Sequence, residues 1–325
     1  MTAGIDPGCV RLRLRVDDGR VAAAAVASER PSVGQALRGR AADAAVRLVP
    51  LLFALCGQAQ GRAATLALAA ARGDGCPAGL DPAIQGEALR EHLWRWLLDL
   101  PALLGLPVMQ LEYVCAAAAI QSGRRDELAA LLNGPAITDL QRRLVVLDEP
   151  AAAAPRLLPP LDARASLDWW PRLDAEFCRL PQWQGAAAET GAIGRQGGTA
   201  QALAAPLAAR WLARLDELRA WAEGKAQVGA AGTASAVPVV AGAPKRGRAL
   251  VETARGVLMH EIELDGERIA DYLIVAPTEW NFHPQGPLAG WLTGRDATDP
   301  ETLRAFAARA VAALDPCVRW ELEGL

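Results

Sequence analysis

The chain has 325 residues, of which 52% are hydrophobic, and its 34 basic and 37 acidic residues give a formal net charge of -3. Because the arginines are scattered among acids and form no basic run, this composition excludes an electrostatic nucleic-acid-binding surface. The chain opens without a basic segment followed by an apolar stretch, and its longest apolar run is too short to cross a bilayer. These features predict a cytoplasmic protein without membrane insertion.

Two hairpins and several helices are predicted along the chain. Residues 10–16 alternate apolar and basic side chains and are followed by an Asp-Asp-Gly turn and an apolar run over 21–26, which predicts an N-terminal β-hairpin. Residues 60–72 are rich in alanine and favour a buried helix. Residues 87–104 place leucines and tryptophans at helical spacing. We also predict helices over residues 109–119, 124–132, 205–221 and 301–314, and a mobile low-complexity loop over residues 223–244.

The second hairpin organises the C-terminal quarter of the chain. Two runs rich in β-branched residues flank Asp265 and Gly266, a dipeptide typical of two-residue hairpin turns. Arg255 lies just before the first strand, and Pro277 and Thr278 lie just after the second. Both ends are on the same side of the ribbon, so a cation and a hydroxyl group are expected to come together.

The cysteines and histidines form no recognised metal motif. The cysteines are widely spaced without a CxxC pair, and the histidines form neither an HExxH motif nor a zinc finger. Disulfides are not expected in the cytosol, and most of these thiols are predicted to be small buried side chains. The cysteines are Cys9, Cys56, Cys76, Cys115, Cys178 and Cys317.

Three segments, taken in order, resemble the large subunit of NiFe hydrogenases. That family carries an E-x-P-R-G-x-L-x-H segment, a hairpin, then P-[ST]-T-W-N-x-x-P, and finally D-P-C-x-x-C. So many uncommon residues in the same order indicate common descent. The resemblance implies a single large-subunit-like domain over residues 1–325. The matching positions are Glu252, Arg255, Gly256, Leu258, His260, Pro277, Thr278, Trp280, Asn281, Pro284, Asp315, Pro316 and Cys317.

The chain also departs from that family at the metal-binding positions. Cys56 and Gly57 match the family's R-x-C-G-x-C motif, but Ala59 replaces its second cysteine. Trp320 replaces the last cysteine of the C-terminal motif, and Pro7 replaces a glutamate that moves protons in the enzymes. The departures indicate a relative that is not a hydrogenase.

The resemblance implies a site for an iron fragment. In the family, four thiolates hold nickel, and two of them also bridge to an iron that carries carbon monoxide and two cyanides. An arginine and a hydroxyl group donate hydrogen bonds to the cyanides. By correspondence, Cys56 and Cys317 are the implied metal ligands, and Arg255, Thr278 and the adjoining Pro277 form the implied cradle. Two thiolates cannot build a nickel site, so the implied cargo is a transient Fe(CN)2(CO) unit without nickel. The two sulfurs are expected close enough to share one ligand.

The pattern as a whole resembles the HupK/HoxV type, non-catalytic accessory proteins of hydrogenase maturation. The implied fold is α+β and mostly helical, a shortened NiFe hydrogenase large-subunit-like fold with a helical bundle and two peripheral β-hairpins. The implied function is a scaffold that holds the iron unit, with a HypC-type chaperone, HypD and the large-subunit precursor as partners. The alternative is a metal-free mimic that only binds chaperones. Taken singly, Cys56 and Cys317 are better interpreted as buried core thiols, and Arg255 as a bracing cation.

Overall fold

The computed structural model describes residues 7–53, 55–74, 81–147, 155–159, 173–198, 204–225, 232–236 and 245–325. Helices predominate in these segments, and two small sheets flank them. Ala54, Cys76 and the greater part of the 223–244 segment lie outside the described residues. No helix within the described segments is both long and apolar enough to cross a membrane.

The N-terminal hairpin is confirmed and belongs to a three-stranded sheet. Strands β1 (Cys9–Asp17) and β2 (Arg20–Glu29) pair antiparallel, as alternating side chains and the Asp-Gly turn predict. A further strand, β7 (Arg319–Glu323), which the sequence analysis did not predict, pairs parallel to β1. The strand containing Trp320 therefore lies beside the first strand of the chain.

The second hairpin forms one half of a four-stranded sheet, and its second strand is an edge of that sheet. The predicted hairpin strands are β5 (Gly256–Asp265) and β6 (Arg268–Val275). The unpredicted strand β4 (Lys245–Thr253) pairs along the whole of β5, which is buried over most of its length. This hairpin is therefore less peripheral than expected.

The predicted loop over residues 223–244 contains a strand. β3 (Gly232–Ala236) pairs antiparallel with β4 and forms the edge of the sheet. Its sequence, GTASA, consists of small residues without the β-branched enrichment that signals a strand. Pairing with β4 supplies what local propensity does not. Mobility of the rest of this segment stays a prediction.

The helices follow the predicted order with boundaries shifted by a few residues. The central helix α4 (Pro82–Trp94) starts earlier than predicted and passes through a π-helical turn (Arg95–Asp99) into α5 (Leu100–Leu103). Pro101 has no N–H to bond the carbonyl of Leu97, and the Met109 N–H bonds that oxygen at 2.9 Å instead. The other helices are α1 (Val33–Leu37), α2 (Ala42–Leu52), α3 (Gly57–Arg72), α6 (Gln110–Gln121), α7 (Arg125–Leu132), α8 (Pro135–Val146), α9 (Ala175–Arg179), α10 (Ala192–Arg195), α11 (Pro206–Ala222), α12 (Pro277–Asn281), α13 (Pro287–Leu292) and α14 (Pro300–Leu314).

The largest hydrophobic core joins α4, α11 and α14 to the inner face of the N-terminal sheet. Trp96 and Trp211 cross edge to face at 6.2 Å, and the Trp96 indole N–H donates to the Trp211 carbonyl at 2.9 Å. This bond satisfies a polar group that would otherwise be buried unpaired. It fixes the π-helical turn, which contains Arg95 and directly follows α4 with Glu91, against α11.

A second core forms where the alanine-rich α3 lies directly on β4. Small side chains allow the two backbones to approach closely. The closest approach is at Gly247, where an added Cβ atom would lie 2.2 Å from the Ala67 carbonyl oxygen and 2.1 Å from the Ala71 nitrogen. This packing holds the C-terminal half of α3 on the sheet.

We expect Gly247→Ala to lower the free energy of unfolding by at least about 1–3 kcal/mol, because the new methyl group has to push α3 off β4. Gly290→Ala is the matched control: the position is helical and has open space around it, so a change below about 1 kcal/mol, in the stabilising direction, is expected. Urea denaturation of both variants measures the difference. Equal effects at the two positions would contradict the close approach.

Candidate functional site

Four separate segments meet at the predicted site. α14 ends at Asp315, which adopts the left-handed conformation with φ 57° and turns the chain into Pro316 and Cys317. α12 begins with Pro277 and Thr278, both buried. The turn between β4 and β5 contributes Arg255, and Cys56 is the residue that immediately precedes α3.

Thr278 contacts the thiol of Cys317. The Thr278 Oγ1 lies 3.1 Å from the Cys317 Sγ, and the Cys317 backbone N–H donates to the same hydroxyl at 3.4 Å. Thr278 is 1% exposed, so this contact is made away from bulk water. Pro277 starts α12, where a missing N–H costs nothing and the fixed φ favours the first turn. The predicted hydroxyl and one predicted ligand are thus adjacent.

Cys56 lies at the start of α3, as predicted, but its thiol is not activated by the helix. Burial, followed by the charge of Cys317, raises the pKa of Cys56 to about 12, while Arg255 opposes this rise. The carboxylate of Glu87 accepts the first amides of α3, from Gln58 at 2.8 Å and Ala59 at 3.2 Å, and adds its own negative charge. Burial therefore disfavours the Cys56 thiolate, although the residue immediately precedes a helix.

A buried hydrogen-bond chain reaches Cys56 from the second hairpin. The Gln60 side-chain amide lies 3.8 Å from the Cys56 sulfur, and its oxygen lies 2.9 Å from His260 Nε2. His260 Nδ1 lies 2.8 Å from the Tyr272 hydroxyl. With Nε2 protonated, His260 donates to Gln60 and accepts from Tyr272, which leaves the Gln60 N–H free to donate to sulfur. His260 thus has the predicted indirect role.

Arg255 is held by two carboxylates. Its Nε donates to Asp315 Oδ1 at 3.1 Å, and its Nη2 donates to Glu91 Oε2 at 2.7 Å. The side chain is 4% exposed. Within the described residues Nη1 makes no hydrogen bond. Arg255 therefore braces the fold, as one interpretation of the sequence held, and keeps one donor for a further group.

Asp315 collects several cations at the end of α14. Arg95 Nη2 lies 2.6 Å from its Oδ1, and Arg214 donates to the neighbouring Ala313 carbonyl at 2.6 Å. Burial raises the pKa of Asp315, but Arg255, then Arg95 and Arg214, outweigh it and hold that pKa below its usual range. The carboxylate is therefore ionised in a buried place, where its charge has to be balanced.

Asn281 connects the segments that carry the site. Its Oδ1 accepts from the Thr190 amide at 2.9 Å, and its Nδ2 lies 3.3 Å from the carbonyls of both Arg255 and Leu314. The sequence indicated a role in the turn after the hairpin. The structure shows a wider one, since these bonds tie the arginine turn to the end of α14.

An open cavity of about 800 Å³ lies beside Cys317. Its wall includes Glu91 and Arg95 from the central helix, and Pro7 and Trp320 from the two ends of the described chain. Trp320, at the position of the family's last cysteine, is half-buried and packs against the main core. A tryptophan side chain here supplies packing and no metal ligand.

Cys9, His92 and His283 make their hydrogen bonds to groups outside this site. Cys9 is buried in β1 and donates to the Val10 carbonyl, so the structure gives no support to it as a third donor. His92 is packed, as expected, with Nε2 at 2.8 Å from Glu217 Oε2. His283 lies in the loop after α12 and is 4% exposed. Among the described residues, no group of three or more His, Cys, Asp or Glu side chains could hold a metal ion.

Comparison with known proteins places the chain in a family. It is 32% identical to the hydrogenase expression/formation protein HupK of Azotobacter vinelandii over 97% of this chain and 98% of the relative. The chain belongs to the HupK/HoxV family of hydrogenase expression/formation proteins. HoxV of Cupriavidus necator is 32% identical over 92% of both chains. A family model described as nickel-dependent hydrogenase matches residues 185–319.

The shortened large-subunit fold is confirmed. The [NiFeSe] hydrogenase of Desulfovibrio vulgaris Hildenborough superposes with a TM-score of 0.66 at 16% identity, over 94% of each chain. The enzyme of Desulfomicrobium baculatum gives 0.66 at 13% identity, over 94% of this chain and 95% of that chain. At these identities the likeness concerns the fold alone.

Sequence reasoning missed three side chains of the site. Glu91 and Gln60 contact Arg255 and Cys56, and Arg30, at the end of β2, acts on both cysteines through its charge. Glu91 lies in the predicted helix over residues 87–104, but the helical spacing did not show its partner. No local pattern distinguishes Gln60 or Arg30 from surface residues.

The buried neutral His260 predicts an acid-sensitive fold. Burial lowers the pKa of His260 to about 3 from 6.5, so between these values the unfolded chain binds a proton that the folded chain does not. Stability should therefore fall as the pH drops below about 6.5, by up to about 1.4 kcal/mol per pH unit from this residue. Urea denaturation between pH 7 and 4 measures the slope. His260→Gln should flatten it, and an unchanged slope would contradict this account.

Asp315→Asn should cost about 3–5 kcal/mol of unfolding free energy, because it leaves Arg255 and Arg95 buried without their shared counter-charge. Asp99→Asn is the control, since that carboxylate also pairs with Arg95 but is partly exposed and should contribute less than about 1 kcal/mol. Thermal and urea unfolding of both variants provide the measurement. A smaller loss for Asp315→Asn than for Asp99→Asn would refute the assigned charge balance.

Proposed function

We propose that this chain is a non-catalytic accessory protein of NiFe hydrogenase maturation that holds an Fe(CN)2(CO) unit as cargo between Cys56 and Cys317. The observation that carries the proposal is the 3.1 Å contact between the Thr278 hydroxyl and the Cys317 sulfur, beside a buried arginine. A thiolate sulfur can bind such an iron, and a hydroxyl and a guanidinium can donate hydrogen bonds to its anionic diatomic ligands.

The donor chemistry supports such a cargo. Low-spin iron with diatomic ligands suits thiolate donors. A cyanide bound to iron is an anionic acceptor, and Thr278 and the Nη1 of Arg255 are donors of the right kind. Burial lowers the pKa of Arg255, but the charges of Asp315 and Glu91, followed by those of the two cysteines, raise it overall. The arginine and the cysteines therefore interact electrostatically.

The incomplete ligand set supports holding rather than turnover. Ala59 and Trp320 stand where the enzymes have their second cysteines, and Ala59 is buried while Trp320 packs half-buried against the main core. Two thiolates are too few for the four-sulfur nickel site, so nickel is not part of the proposed cargo. An iron unit bound by fewer bonds is easier to pass on, and the proposed recipient is the hydrogenase large-subunit precursor.

The proposed partners follow from this role. A HypC-type chaperone and HypD would bring the iron unit, and the large-subunit precursor would receive it. The relatives are named hydrogenase expression/formation proteins, which supports a role in hydrogenase maturation. The open cavity beside Cys317 offers a way in for a partner's side chains.

A second candidate is a metal-free mimic of the large subunit that binds maturation chaperones through its surface. The observation in its favour is that no group of three or more metal-binding side chains was found within the described residues. The two candidates differ in whether the purified protein carries iron.

Infrared spectroscopy of protein purified without oxygen, from cells that produce the maturation proteins, separates the candidates. Stretching bands of CO and CN are expected in the wild type, with about one iron per chain, and should be lost in Cys56→Ser and in Cys317→Ser. Cys115→Ser, which changes an exposed thiol on α6, should keep them. Wild-type protein that binds its partners but shows no such bands would favour the mimic.

A further inference from the structure

Arg30 is fixed next to the α12 turn that carries Thr278. It directly follows β2, and its Nη1 donates to the two carboxylate oxygens of Glu279 at 2.9 and 3.2 Å. Glu279 is itself held, because its Oε2 accepts the Ala276 amide at 3.1 Å at the start of α12. The guanidinium is thereby tied to the residue after Thr278.

One donor of Arg30 is buried without an acceptor. Its Nε is shielded from solvent and makes no hydrogen bond within the described residues. A buried N–H group of a charged side chain without a partner is unfavourable, and such groups in native proteins call for an explanation. An unmet donor of this kind indicates an acceptor that binds in another state of the protein.

Contacts through α12 indicate where that acceptor would be. Arg30 bonds Glu279, the residue after Thr278, and the Thr278 hydroxyl lies 3.1 Å from the Cys317 sulfur. Burial alone would lower the pKa of Arg30, but the charge of Glu279, then those of Cys317 and Cys56, raise it overall. The same two cysteines act on Arg255. Arg30 and Arg255 come from different segments, and each bonds a residue next to the site: Glu279 after Thr278, and Asp315 two residues before Cys317.

Arg30 and Glu279 also line a second cavity of about 350 Å³, distinct from the cavity beside Cys317. Arg38 lines the same cavity, but it pairs with Asp271 in an exposed ion pair. Neither cysteine of the site lines this second cavity. Arg38 therefore lines the same cavity as Arg30 without belonging to the site, and it serves as the matched control arginine.

We propose that Arg30 is a second ligand-binding cation of the site, and that its Nε–H donates to an anionic ligand of the iron unit held by Cys56 and Cys317. The inference rests on the proposed function and deepens it. The cargo would then be held by hydrogen bonds from two arginines, Arg255 and Arg30, in addition to Thr278. An anionic diatomic ligand such as cyanide is the class of acceptor that this arrangement takes.

The test compares Arg30→Gln, Arg30→Lys and Arg38→Gln with the wild type, all purified without oxygen as full-length protein. Infrared spectra report the CN stretching frequencies, and elemental analysis reports the iron content. We expect Arg30→Gln to retain the iron unit on the order of tenfold more weakly on dialysis. Arg30→Lys should keep the pair with Glu279 and the fold but shift the CN bands, because its donor geometry differs. Arg38→Gln should match the wild type.

The outcomes separate the two proposals. Wild-type protein without CO and CN bands would overturn the proposed function, and this inference with it. Wild-type bands that are unchanged in frequency and iron content in both Arg30 variants would overturn the role of Arg30 alone. If Arg30→Gln fails to fold, the CN frequencies of Arg30→Lys decide, since a merely structural arginine replaced by lysine would not move them.

Discussion

The buried ion pair between Arg255 and Asp315 is the constraint on which the rest of the structure depends. Neither charge can be left alone in the interior, so the β4–β5 turn and the end of α14 have to meet. Glu91 on α4 supplies the second counter-charge for Arg255, and Arg95 supplies the second cation for Asp315. Two hydrophobic cores and two sheets would tolerate small shifts between these segments, but a buried charge network does not, because each lost pair leaves an uncompensated ion.

That charge network sets the positions of the site residues. Asp315 is two residues before Cys317, so fixing its carboxylate fixes the turn that presents the sulfur to Thr278. Asn281 reinforces the arrangement by bonding the carbonyls at both ends of the pair, at Arg255 and Leu314. At Gly256, with φ +124°, an added Cβ atom would lie 2.4 Å from the Thr190 hydroxyl, so the turn beside Arg255 needs glycine. The uncommon residues at Arg255–Gly256 and at Asp315–Cys317 are thus explained by geometry as well as by chemistry.

Elements with strong local signals could be predicted from the sequence, and elements that depend on distant partners could not. Both hairpins and the long helices follow from alternation, turn dipeptides and helical spacing. β3 and β7 were missed because small or mixed residues form strands only when a neighbour offers an unpaired edge. The nearness of Thr278 to Cys317 followed from the hairpin and the motif together. The raised pKa of the Cys56 thiol could not be predicted from the sequence, because it arises mainly from burial and from the charge of Cys317, with a smaller contribution from Glu87.

The charge arrangement also bears on how a cargo could be taken up and released. Glu91 and Asp315 balance Arg255, and Glu279 balances Arg30, so neither arginine needs an anionic ligand in order to remain buried. Each nevertheless keeps an N–H group that these carboxylates do not accept: Nη1 in Arg255 and Nε in Arg30. Such a site is stable when empty and gains hydrogen bonds when filled, whereas a site that relied on its ligand for charge balance would lose the fold with the ligand. A protein that passes its ligand to another has to survive the empty state, and this balance of charges meets that condition.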